Sequence, residues 1–66
     1  MDKNIVLGEN LARTFRELAD ILDELVGYDK DRLNGLDVDT KAEEDAMGLF
    51  IGKIFIMNKY LDGYGG

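Results

Sequence analysis

Apolar residues recur in the first part of the chain at Leu11, Phe15, Leu18, Leu22 and Leu25, spaced 4, 3, 4 and 3. This is a heptad seam two repeats long. Ala12, Ala19 and Val26 run along one edge of it, with Gly8 near the same line. Arg13, Arg16, Glu17, Asp20 and Glu24 occupy the opposite face. The pattern predicts an amphipathic helix over about residues 3–26 with one narrow buried face. Its small-residue edge should let a partner helix approach closely. Asp2 is the candidate N-cap. Gly8 costs about 1 kcal/mol in a helix interior, so residues 3–7 could instead fray. Gly27 is the expected stop, because glycine adopts the left-handed C-terminal conformation without steric penalty.

A connector over 28–39 follows. Asp29 to Leu33 could form a short helical turn closed by Asn34-Gly35. The second helix is expected over about residues 40–62. Thr40-x-x-Glu43 fits a capping box, in which each side chain bonds the other's backbone N–H. Glu43, Glu44 and Asp45 then fall where the helix dipole favours negative charge. Met47, Phe50, Ile54, Met57 and Leu61 form its seam, and Ala46, Ile51 and Phe55 widen the apolar surface to about half the circumference. Leu49, Ile56 and Tyr60 make a separate strip. Residues 63–66 read as a flexible tail.

One partner helix cannot cover both apolar strips of the second helix. The sequence therefore predicts an all-α fold: an antiparallel helix–loop–helix hairpin that assembles into a four-helix-bundle-type homodimer or higher oligomer. Met47, Phe50, Ile51, Ile54, Phe55, Met57 and Leu61 are the expected oligomer interface. Ile54→Asp should destroy folding and assembly together, since it buries an unpaired charge.

Composition narrows the chemistry. The 66 residues contain 8 Lys and Arg against 14 Asp and Glu, a net charge of −6, and no Cys, His, Pro or Trp. Ser and Gln are absent too. Without Cys there is no disulfide, thiol nucleophile or thiolate metal site. Without His and Ser, the commonest general base and the Ser-His-Asp nucleophile are missing. A non-enzymatic protein without cofactors or a metal is expected. The acidic balance argues against direct binding to nucleic acid or to an anionic membrane. The most apolar stretch, 46–57, is too short to span a bilayer, and the N-terminus lacks a signal peptide's apolar run. The expected location is the cytoplasm.

Charge is unevenly placed. From Glu17 to Asp45 there are eleven acids and three bases, a net −8; the rest of the chain has three acids and five bases, a net +2. A hairpin collects the first group at its connector end. Glu17, Asp20, Glu24, Asp29, Asp31, Asp37, Asp39, Glu43 and Glu44 would form an acidic surface for a partner protein with a basic surface. The leading function is thus a protein-interaction module that binds and inhibits or regulates another protein. In being very short, acidic, helical and free of cofactors, the chain resembles the small accessory proteins with which phages and plasmids block host machinery.

Other motifs carry less. Asp29, Asp31, Asp37 and Asp39 suggest a calcium loop, but Asn34 and Thr40 fall where an EF-hand needs Gly and Glu. Glu17-x-x-Asp20 lacks the second carboxylate pair that helical Mg²⁺-dependent pyrophosphohydrolases use. Gly48-x-x-x-Gly52 suggests close helix approach in an oligomer. A second functional class is an oligomeric binder of a small ligand such as a signalling nucleotide. Its pockets would lie between subunits near Gly48, Gly52 and the tyrosines, with Arg13, Arg16, Lys53 and Lys59 as the available cations. A third is a structural assembly module of a larger complex, docking through the apolar second strip.

Overall fold

A computed structural model describes residues 2–65. It contains two helices and, among the described residues, no strand: α1 over Lys3–Leu33 and α2 over Thr40–Gly63. They pack antiparallel as a hairpin about 51 Å long and 15 Å wide.

Asp2 caps α1, its carboxylate accepting from the Asn4 N–H at 2.7 Å, and residues 3–7 are helical rather than frayed. Gly27 does not end the helix. The expected boundary at residue 26 and the separate turn over 29–33 are replaced by one continuous helix to Leu33. Gly27 costs about 1 kcal/mol there, but the two extra turns gain more. They place Tyr28 on the line that faces α2, bring Lys30 and Arg32 to the negative end of the dipole, and let Arg32 reach α2. The stop is Gly35, at φ +74°. Its N–H bonds the Arg32 carbonyl at 3.1 Å, and the Leu36 N–H bonds the Asp31 carbonyl at 2.8 Å. That pair of bonds is a Schellman closure, which requires the left-handed residue.

The start of α2 also differs from the capping-box expectation. Asp39 is the N-cap, its carboxylate accepting from the Ala42 N–H at 3.1 Å. Thr40 is the first helical residue, and the Glu43 side chain turns to Arg32 instead of back to the cap. A carboxylate already serving as cap frees Glu43 for that ion pair.

The interface between the helices is narrow. In α1 the buried residues are Leu11, Thr14, Leu18 and Leu25, with Ile21 and Tyr28 half-buried between and beyond them. The spacing is 3, 4, 3, 4 and 3, as expected, but the phase is not. Thr14 and Ile21 take the places the sequence suggested for Phe15 and Leu22, which are 53% and 49% exposed. Thr14 is tolerated there because its hydroxyl donates to the Asn10 carbonyl at 2.8 Å. In α2, Ala46 is buried, and Phe50, Lys53, Met57 and Tyr60 are half-buried at the same spacing. Among the described residues no large side chain is fully buried.

At the open end the helices are in close contact. A Cβ on Gly63 would lie 3.1 Å from Leu7 Cδ1, and one on Gly8 would lie 3.3 Å from the Tyr64 ring. The Gly65 N–H donates to Asn4 Oδ1 at 3.0 Å. Residues 63–65 are therefore tied to the start of α1 and are not the expected loose tail; Gly66 lies outside the described residues.

Candidate functional site

The chain's chemistry lies on the flanks of this interface. A two-fold rotation that exchanges two antiparallel helices keeps each flank on its own side of the pair. Residues offset in the same sense from the two interface lines therefore share a side. At about 100° per residue, one side carries Phe15 and Leu22 from α1 and Met47, Ile54 and Leu61 from α2. Just outside them lie Ala12, Ala19 and Val26 on α1, and Ile51 on α2. Ile54 is half-buried; the other eight are exposed. The small-residue edge expected to face a partner helix does not face α2 at all. It opens onto this apolar side.

The seven residues expected to form the oligomer interface are thus divided. Phe50 and Met57 pack toward α1 within the hairpin. Met47, Ile51, Ile54 and Leu61 lie on the shared apolar side. Phe55, 66% exposed, sits on the outer surface of α2 in the row that holds Gly48. A Cβ on Gly48 or Gly52 would meet nothing within 4 Å. The Gly-x-x-x-Gly spacing therefore serves no close approach inside the hairpin.

The accessible surface is large for the size of the chain, as its elongated shape requires. The accessible surface is 4933 Å², whereas a compact globular protein of this mass exposes about 4,200 Å².

The opposite side is polar along α1, where Glu17, Glu24 and Asp31 recur every seven residues with Asp20 beside them. Leu49 and Ile56 of α2 share this side, but Tyr60, read from the sequence as the third member of their strip, is half-buried on the line that faces α1. Five of the nine expected acidic-surface residues have structural partners. Glu17 Oε2 lies 2.5 Å from Lys53 Nζ, and Arg13 lies 3.8 Å from the same carboxylate. The hydrogen bond from Lys53 holds the Glu17 carboxyl below its ordinary pKa. Arg32 donates to both oxygens of Glu43, at 2.7 Å to Oε2. That fork lowers the Glu43 pKa and raises that of Arg32. Arg32 also meets Asp29 at 3.4 Å, and Asp39 caps α2. Asp20, Asp31, Asp37 and Glu44 make no side-chain bond among the described residues, and Glu24 accepts only from the Tyr28 hydroxyl at 3.0 Å. That bond pushes the Tyr28 pKa up.

The connector aspartates do not converge. Asp29 and Asp31 belong to α1, Asp39 to the cap, and no group of three or more carboxylates among the described residues is placed to hold a metal ion. No pocket is formed among the described residues. Of the four cations a phosphate ligand would need, Lys53 and Arg13 are already held by Glu17. Among the described residues no helix is long and apolar enough to cross a membrane.

No known protein-family model matches the chain, and no curated protein or solved structure is detectably similar to it.

Proposed function

We propose that this chain is a non-enzymatic protein-interaction module that self-associates through its apolar side and binds a basic protein partner through its acidic surface, inhibiting or regulating it. The observation that carries this reading is the separation of the two surfaces. Covering Phe15, Leu22, Met47 and Ile51 would leave Asp20, Glu24, Asp31 and Asp37 uncovered, whereas Glu44 shares the row of Ile51. Two such hairpins stacked on their apolar sides make a four-helix bundle. Self-association also answers a stability problem. A 66-residue hairpin with no disulfide and no fully buried large side chain has too little core by itself.

Acidic side chains around a connector steer a cationic partner and fix its orientation, with binding that weakens as salt rises. The phage- or plasmid-type inhibitor is the style of protein this fits. The test is native mass spectrometry of tagged protein isolated gently from its own cells. It is followed by the same isolation with Asp20→Asn, Glu24→Gln and Asp31→Asn combined. A second protein that is retained by the wild type and lost from the neutralised variant and at high salt supports the reading. A partner indifferent to both changes would remove the acidic surface from it. A homo-oligomer carrying extra small mass would favour the ligand-binding class instead.

A further inference from the structure

The outer surface of α1 carries Glu9, Arg16, Asp23 and Lys30, each seven residues from the next and alternating in sign. None of the four forms an ion pair among the described residues. They run along the outer border of the apolar strip, where they would flank whatever covers it.

The strip is close to symmetric on reversal. Ala12 exchanges with Val26 about Ala19, and Phe15 exchanges with Leu22 about a point half a residue earlier. The charged row reverses about nearly the same point and inverts its sign: Glu9 exchanges with Lys30 and Arg16 with Asp23. A row of this kind is complementary to its own reversed copy. Charges bordering a helix–helix seam set partner choice and orientation.

We propose that a second copy of this chain covers the apolar side reversed end for end, with α1 antiparallel to the partner's α1 about a two-fold axis at Ala19. Phe15 then packs against the partner's Leu22, and Ala19 lets the two backbones approach. Arg16 flanks the partner's Asp23, and Glu9 flanks the partner's Lys30.

The alternative stacking keeps the connector ends together and lays α1 on the partner's α2. The pairs Glu17–Lys53 and Gly8–Tyr64 fix which residues share a level along the hairpin. By that register Glu9 would meet the partner's Asp62, and Lys30 would meet the partner's Lys41. It would also bring two connector halves of net charge −8 together, whereas reversal sets each beside a half of net +2. Like charges are repelled in one arrangement and compensated in the other. The reversed dimer carries one acidic end at each pole.

This inference rests on the self-association proposed above, and the experiment separates the two. The chain has no cysteine, so Ala19→Cys introduces one unique thiol. Under a mild oxidant it should form a covalent dimer of the wild-type hydrodynamic size. Arg16→Glu should weaken dimerisation about fivefold in a sedimentation experiment, as should Asp23→Arg. The double variant R16E/D23R should recover wild-type affinity, because swapped pairs are still opposite. Both positions are exposed, and circular dichroism confirms that each variant remains helical. A protein that sediments as a dimer without the Ala19→Cys disulfide, or whose double variant stays weak, overturns the reversed arrangement alone. A monomer at all concentrations overturns both the arrangement and the self-association.

Discussion

Arg32 in the last turn of α1 forks onto both carboxylate oxygens of Glu43 in the first turn of α2. The pair joins the two helices across a six-residue connector and exists only because α1 runs past Gly27. It also has a pH signature. The Glu43 pKa lies below its ordinary value of 4.5 in the folded chain. The stability it supplies is therefore present above that value and lost as pH falls through the depressed folded pKa. Wild type should melt higher than Glu43→Gln at pH 7, and the gap should close in acid below about pH 4.5. Paired melting curves from pH 7 to pH 3 check this. A gap that persists unchanged in acid would show that the carboxylate's charge is not the source.

Phe15 and Leu18 are predicted to behave oppositely. Leu18 is buried against α2 and Phe15 is exposed beside it. Leu18→Ala should cost about 2–4 kcal/mol in chemical denaturation, enough to unfold so small a domain. Phe15→Ala should leave an assembled sample at high concentration with its helix content intact and mainly raise the dissociation constant. Equal effects on folding would contradict the phase of the α1 interface.

Melting should depend on concentration. If the apolar side is covered only by a partner copy, mass action makes the midpoint rise with total protein. A hundredfold dilution that leaves the midpoint unmoved would mean that the hairpin stands alone. Ile54→Asp should abolish both assembly and the melting transition, since Ile54 borders the α1–α2 interface and the open side at once.

Gly48→Ala and Gly52→Ala should each stabilise α2 by about 0.5–1 kcal/mol, because nothing lies within 4 Å of the added methyl group. Gly63→Ala should not gain in the same way, since its methyl would press on Leu7 at 3.1 Å. Thermal denaturation of the three variants ranks them. Loss of assembly in Gly48→Ala or Gly52→Ala would instead place those glycines in a contact between copies.

Two helices, their antiparallel return and the collection of negative charge at the connector end were legible in the sequence. They follow from local causes: a heptad spacing, capping residues, and a connector too short to do anything but reverse the chain. The position of the first stop was not legible. Gly27 and Gly35 are both good terminators by propensity, and it is Arg32 finding Glu43 on α2 that favours the helix passing the first. Nor was the phase of the interface. Phe15 is more apolar than Thr14, and Ile21 and Leu22 are equally so, yet α2 lies over Thr14 and Ile21, and a hydroxyl bonded to its own helix carries no sequence signal of burial.

The same holds for the surfaces. Composition determined that the chain is acidic and lacks thiol and imidazole chemistry. Which carboxylates are engaged by Lys53, Arg32 and the α2 N-terminus, and which stay open, was decided when the hairpin closed. The apolar strip and the alternating charges beside it are written in the sequence at fixed intervals. That they share one uncovered side is a property of the pair of helices, because a flank acquires a neighbour only when the second helix takes its place.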